Sequence, residues 1–250
     1  MKNGCKRTIG LSRWIACLLI AGLWPLQIAA KVYLVSVGIS DYPGVANDLR
    51  LPANDAKTVT WVYANNSRLH HEQLLNAEAT RKRIVEAMNR VFSQAGEGDI
   101  VVFFFSGHGM PGAFCAYDGN LPYHDIRKAM ARCKSKNKMI FADACFAGKI
   151  RTGGSASSQV SAAKKANVML FLSSRSNETS LERSDMKNGF FTTYLQLGLR
   201  GKADANKDRV ITAKELFMYV HKQVTQATHN RQHPVMWGRF PDSMQVMNWK

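Results

Sequence analysis

The chain has 250 residues, 46% of them hydrophobic, and carries 34 Lys and Arg against 18 Asp and Glu, a formal net charge of +16. That length allows one sizeable core and at most two small domains. The basic balance attracts anionic partners, but no aromatic-interleaved basic motif or nucleic-acid module occurs, so the charge reads as a general field suited to anionic envelope or cell surfaces and no nucleic-acid partner is expected.

Residues 1–30 stand apart from the rest. MKNGCKRTIGLSR holds Lys2, Lys6, Arg7 and Arg13 and no acid, and WIACLLIAGLW is a short apolar run ending before Pro25 and the small residues Ala29 and Ala30. This is the pattern of a signal peptide cleaved after Ala30; the apolar run falls short of the roughly 20 residues of a spanning helix. The expected mature protein is exported, periplasmic or secreted, has no stable membrane span, and occupies residues 31–250 as one main domain.

Along that domain, KVYLVSVGIS (31–40) reads as a buried strand and DAKTVTWVYANN (55–66) as a helix, with a short strand around Gln73–Leu75. TRKRIVEAMNRVFSQAG (80–96) has helical apolar spacing, with Thr80 as N-cap and Gly96 as C-cap. GDIVVFFFSGHG (98–109) is an apolar strand, YHDIRKAMARC (123–133) a helix and KMIFADAC (138–145) the next strand. KIRTGGSASSQVSAAKKAN (149–167) reads as a flexible linker between a larger half, 31–148, and a smaller half, 168–250. VMLFLSS (168–174) is a strand, 190–199 and 212–228 are helices, and the last twenty residues include one more strand. Strands apolar on both faces that alternate with helices indicate an α/β fold with a mainly parallel sheet, covered on both sides.

In such sheets the sites lie beyond the carboxyl ends of the strands. Two strands end in reactive residues: SGHG with His108, and DAC with Cys145. A buried cysteine is usually a small hydrophobe. With an imidazole at the next strand end it becomes a candidate nucleophile, because the thiolate attacks and a base helps to form it. The mature chain has two other cysteines, Cys115 and Cys133, which either pair, leaving Cys145 as the single free thiol, or are both reduced.

These segments resemble the caspase-like cysteine peptidases, and more closely their bacterial metacaspase-type branch than animal caspases. The resemblance runs through VYLVSVGIS with Tyr42, LPANDAKTV, FFFSGHG and FADACFAG, then SSRSNETSLE, NGFFTTYLQLGLRGKADANKDRVITAKEL and HPVMWGRF. It implies a three-layer caspase-like sandwich, Cys145 as nucleophile, His108 as general acid and base, and the N–H groups of Gly109 and Cys145 as oxyanion donors. The QAC-type pentapeptide of caspases is absent, and Phe146 stands where a His commonly follows the metacaspase cysteine. By the same resemblance Asp143 and Asp55 line the pocket for the residue before the scissile bond, with Ser106 beside them. Two carboxylates there repel Asp and pair with Arg or Lys. Read without the resemblance, Asp55 is a helix first-turn acid and Asp143 a loop-capping carboxylate.

The implied activity is an endopeptidase cutting after Arg or Lys in protein or peptide substrates, with no cofactor required. Lys149, Arg151, Lys164 and Lys165 in the linker are then self-cleavage candidates, against a linker that is never cut. DANKDRVITAKE (204–215) has Asp204, Asn206, Asp208 and Glu215 at calcium-loop spacing, with Arg209 where that loop wants Gly. The favoured alternative is an Asp/Asn-rich turn before a helix N-capped by Thr212. Two rival functions remain open: a non-catalytic scaffold binding basic peptides, and a thiol transpeptidase with the same dyad.

Overall fold

The computed structural model describes residues 30–144, 168–174 and 185–249. Five strands run parallel in one sheet: β1 (Lys31–Gly38), β2 (Arg68–Leu75), β3 (Ile100–Gly107), β7 (Asn137–Ala144) and β8 (Val168–Leu172). A sixth, β10 (Val235–Trp237), pairs antiparallel with β8 and closes the order β10-β8-β7-β3-β1-β2. Strand β3 is central and buried along its whole length, which is why IVVFFFSG carries apolar residues on both faces. Strand β2 is an edge, and RLHHEQLL accordingly exposes its polar side chains.

Helices cover both faces. Alternation along the strands sends Val35, Val37, Phe103 and Phe105 toward α2 (Arg81–Phe92) and α3 (Tyr123–Arg132). It sends Leu34, Val102, Phe104 and Phe141 toward α1 (Pro52–Asn66), α4 (Phe190–Leu197) and α5 (Ala213–Ala227). Phe171 packs edge-on against Phe141, Phe191 and Phe217, joining sheet to helices on that second face. This is the three-layer α/β arrangement expected from the sequence. Among the described residues no helix is long and apolar enough to cross a membrane.

Several boundaries differ from the sequence reading. Helix α1 starts three residues earlier, because Pro52 suits a first helical position and the Ser40 hydroxyl accepts the Ala53 N–H at 3.0 Å. Strand β2 spans eight residues and not three, since pairing with β1 carries it. Helix α2 begins after Thr80, whose side chain accepts the Arg83 N–H, but ends at Phe92 with Ser93 as C-cap. Gly96 instead donates its N–H to Asp99 Oδ2 at 2.9 Å, in the turn into β3. Between β3 and α3 a small antiparallel sheet of β4 (Gly109–Met110), β5 (Ala113–Ala116) and β6 (Gly119–Pro122) was not expected. The C-terminal stretch forms two strands and not one, β10 and β11 (Gln245–Asn248), and β11 pairs with β9 (Val210–Thr212). Cys115 and Cys133 are both free thiols, so the pairing alternative falls. The signal segment 1–29, Cys145 and the linker candidates Lys149, Arg151, Lys164 and Lys165 lie outside the described residues.

Candidate active site

The site forms where β1, β3 and β7 end. Gly107 and Ala144 are register partners on adjacent parallel strands, and each is the residue just before a reactive one, His108 and Cys145. The sheet therefore delivers the imidazole and the chain leading to the thiol to one edge.

His108 is held by the loop after β1. Its Nε2 lies 2.8 Å from the Asn47 carbonyl oxygen. A carbonyl only accepts, so Nε2 carries a proton, and the lone pair of a neutral ring would then lie at Nδ1. The Tyr42 ring packs on the imidazole with centroids 4.8 Å apart. The Tyr42 hydroxyl accepts the His108 backbone N–H at 3.0 Å and donates to the Cys115 carbonyl at 3.0 Å. Gly107 makes room for this contact: at its φ of +154°, a Cβ would lie 2.6 Å from the Tyr42 hydroxyl oxygen. Burial raises the Tyr42 phenol far above its usual range, so it stays protonated and able to donate.

Gly109, an expected oxyanion donor, opens β4. Cys115 N–H bonds to the His108 carbonyl at 2.9 Å, so His108 and Cys115 form a hydrogen-bonding pair and Gly109–Phe114 the next, non-bonding one. In that pattern the Gly109 N–H points away from β5.

The acidic residues gather on the other face. Ser106 and Asp143 are register partners, and alternation puts both on the side covered by α1 and α4. Asp55, in the first turn of α1, meets them there because Gly38 lets that helix start against the strand end; a Cβ on Gly38 would lie 2.3 Å from the Pro52 carbonyl oxygen. Asp55 Oδ2 accepts the Ser106 hydroxyl at 2.8 Å. Its Oδ1 accepts the Asn188 amide at 2.8 Å and the Gly189 N–H at 3.1 Å. Asp143 Oδ2 accepts the N–H and hydroxyl of Thr192 at 3.2 and 3.0 Å. The two carboxyls are 2% and 6% exposed.

The start of α4 thus lends its unpaired N–H groups to two acids from elsewhere in the chain, one from β7 and one from α1. Burial first, and then the Asp143 carboxylate, drive Asp55 well above the ordinary 3.8, against the pull of its hydrogen bonds. Gly189 closes over both, since a Cβ there would sit 2.5 Å from Asp143 Oδ2 and 3.6 Å from Asp55 Oδ2. Asn188, Gly189, Thr192, Tyr42 and Asn47 were not among the sequence-derived site residues. The Asn-Gly pair before an apolar helix was the only local signal for the first three, and nothing local marks Asn47, which acts through its backbone.

The calcium-spaced loop is built as a turn. Asp208 N–H donates to Asn206 Oδ1 at 3.0 Å, Val210 N–H to Asp208 Oδ1 at 2.8 Å and Arg209 N–H to Asp204 Oδ2 at 3.0 Å. Glu215 Oε2 takes the N–H and hydroxyl of Thr212 at 3.0 and 2.7 Å, completing a capping box on α5. Asp204 Oδ1 is buried without a partner, which would suit a cation, but the other side-chain oxygens accept from the loop's own N–H groups, the Asn206 amide and the Thr212 hydroxyl. Among the described residues no group of three or more His, Cys, Asp or Glu is arranged to hold a metal ion.

The family model of the caspase domain of C14 peptidases matches residues 32–244. No curated protein matches. Among solved structures the chain is similar to the crystal structure of protein GSU0716 from Geobacter sulfurreducens, at 16% identity with a TM-score of 0.64, over 87% of this chain and 97% of that one. That likeness is one of fold. With the model match spanning both halves of the sheet and the residues before and after both reactive strand ends, the chain belongs to the caspase-domain family of cysteine peptidases.

Proposed function

We propose that the protein is an exported cysteine endopeptidase that cuts after Arg or Lys with a Cys145–His108 dyad. The observation that carries this reading is the register of Gly107 with Ala144, which sets His108 beside the strand that leads into Cys145. The Asn47 carbonyl on His108 Nε2 supports it, because it leaves the opposite ring nitrogen to accept a thiol proton.

In this reading Cys145 Sγ passes its proton to His108 and attacks the carbonyl carbon of the scissile bond. The tetrahedral oxyanion is met by the N–H groups of Gly109 and Cys145. His108 gives its proton to the leaving amine as the C–N bond breaks, leaving an acyl-enzyme. Water, deprotonated by His108, then attacks that thioester and releases the carboxylate product and the thiol. No cofactor takes part in these steps.

Preference for a basic side chain rests on Asp55 and Asp143, two carboxyls brought to one place with Ser106 between strand and helix. An arginine or lysine entering there would draw both carboxyls to their ionised form in a poorly hydrated site, where pairing is strong and Asp is rejected. The same preference makes Lys149, Arg151, Lys164 and Lys165 candidates for cleavage by the protein itself.

Peptide reporters with Arg, Lys or Asp before the scissile bond test the reading, using the purified protein and its Cys145→Ala form. Turnover of Arg or Lys reporters by the Cys145 protein alone is expected. Turnover of Asp reporters would retain the dyad and overturn the acidic pocket. A folded protein that turns over nothing, yet binds basic peptides, would favour the scaffold; amide-joined products would favour a transpeptidase.

A further inference from the structure

We propose that Tyr42 is a positioning residue for His108, its hydroxyl wedged into the β ladder between the His108 N–H and the Cys115 carbonyl. The inference rests on reading His108 as the acid and base of the dyad. In an antiparallel hydrogen-bonding pair, two facing residues exchange two N–H···O bonds. His108 and Cys115 make one of them, Cys115 N–H to His108 O at 2.9 Å. The second is replaced by two steps of 3.0 Å each through the Tyr42 hydroxyl, which accepts from His108 and donates to Cys115.

This wedge holds the ladder open at the residue that carries the imidazole. It therefore sets where the His108 ring leaves the backbone. Tyr42 is itself fixed: the residue is 7% exposed, and its N–H donates to Asp48 Oδ1 at 3.0 Å. Asn47, next to Asp48, holds the other end of the imidazole. One short loop thus grips both the backbone and the ring of His108. The absence of a side chain on Gly107 keeps the hydroxyl's place clear.

Without the hydroxyl, the His108 N–H and the Cys115 carbonyl are free to close on each other, and the imidazole follows. A displacement of this kind acts on the reacting geometry more than on substrate binding. Tyr42→Phe is expected to lower kcat about 10- to 100-fold with KM little changed. The pH profile of Cys145 alkylation by iodoacetamide is expected to move toward that of His108→Ala, since a thiolate paired with imidazolium reacts below the pH of an unpaired thiol. Tyr63→Phe supplies the control. It removes another buried hydroxyl bond, to the Val246 carbonyl at 3.3 Å, near the opposite end of α1 from Asp55, and should lower Tm with the wild-type pH profile retained.

The proposal falls if Tyr42→Phe matches wild type in both kcat and pH profile while losing Tm as Tyr63→Phe does. If wild type and His108→Ala already share one profile, the dyad reading fails first, a distinguishable result. Should Tyr42→Phe not fold, hydrogen exchange at the His108 amide of the wild-type protein decides. Protection like that of the β4–β5 ladder is expected, and exchange at the rate of an open loop overturns the wedge.

Discussion

His108 Nε2 and the Asn47 carbonyl oxygen are 2.8 Å apart, a contact between a strand end and a loop 61 residues earlier in the chain. It fixes the tautomer in which the other ring nitrogen can take a proton. His108→Ala is therefore expected to lower kcat about 10²–10⁴-fold, and Cys145→Ala to abolish turnover. Asn47→Ala keeps the carbonyl and should stay within a few-fold of wild type. Steady-state kinetics with an Arg reporter checks all three.

The Asp55–Asp143 pair predicts a pH dependence of stability with a defined sign. Asp55 is raised above 3.8 in the folded chain by burial and by Asp143. Above the unfolded value, the folded state binds the proton that the unfolded state has lost. Stability therefore falls as pH rises from about 4 through the raised folded value, and is flat with respect to this group below 4. Asp55→Asn should remove that slope in thermal melts taken across pH, because the amide oxygen keeps the Asn188 and Gly189 bonds, its NH2 can donate to the Ser106 oxygen, and it has no proton to lose. A slope unchanged in the variant would place the linkage elsewhere. For the proposed basic substrate, pairing favours the ionised acids, so KM for an Arg reporter should fall over the same pH range in wild type and not in Asp55→Asn.

Gly189 and Thr192 close over the two acids. Gly189→Ala would put a methyl 2.5 Å from Asp143 Oδ2, a distance at which the carboxyl or the start of α4 must move. Thr192→Val removes the 3.0 Å hydroxyl bond to the same oxygen. The valine change is expected to cost about 1–3 kcal/mol, and both variants should lose preference for Arg and Lys reporters more than they lose reactivity toward a small thiol reagent. Denaturant titration and reporter profiling measure the two effects separately.

Thr212 and Glu215 cap α5 through reciprocal bonds. Thr212→Ala should cost about 1 kcal/mol, and the cost should be the same with calcium and with a chelator if loop 204–215 acts as a turn. A calcium-dependent rise in Tm that disappears in Asp204→Asn would assign the buried Asp204 Oδ1 to a cation.

Self-cleavage gives a direct readout. Incubated alone, the purified protein should yield fragments ending at Lys149, Arg151, Lys164 or Lys165, whereas Cys145→Ala stays whole. Identical fragments from both proteins, read by intact-mass spectrometry, would exclude cleavage by this chain.

Local pattern carried the fold class. The β-branched and aromatic runs at 31–38, 100–107 and 137–144 have two-sided apolar faces that only a covered parallel sheet accommodates. Thr80 as the cap of α2 and Thr212 as the cap of α5 were likewise legible, since an N-cap bonds within its own turn. Gly96 misled because the apolar stripe runs on to the buried Ala95 while the backbone tightens after Phe92, with Gln94 N–H bonding to the Val91 carbonyl and Ala95 N–H to the Phe92 carbonyl. Strand β2 and the β4–β6 sheet were under-read because edge and hairpin strands take their order from pairing partners more than from composition.

The sequence by itself determined the residue types at the strand ends: an imidazole between two glycines, and a thiol two residues after an acid. Only the tertiary structure decided that Asn47 and Tyr42 hold His108, that Asn188, Gly189 and Thr192 cap two acids from other elements, and that Cys115 and Cys133 stay apart. These contacts join residues up to 134 positions distant through backbone groups and buried hydroxyls. A carbonyl or an amide N–H is the same on every residue, so no side-chain pattern announces it, and its partner is chosen by register and helix docking alone.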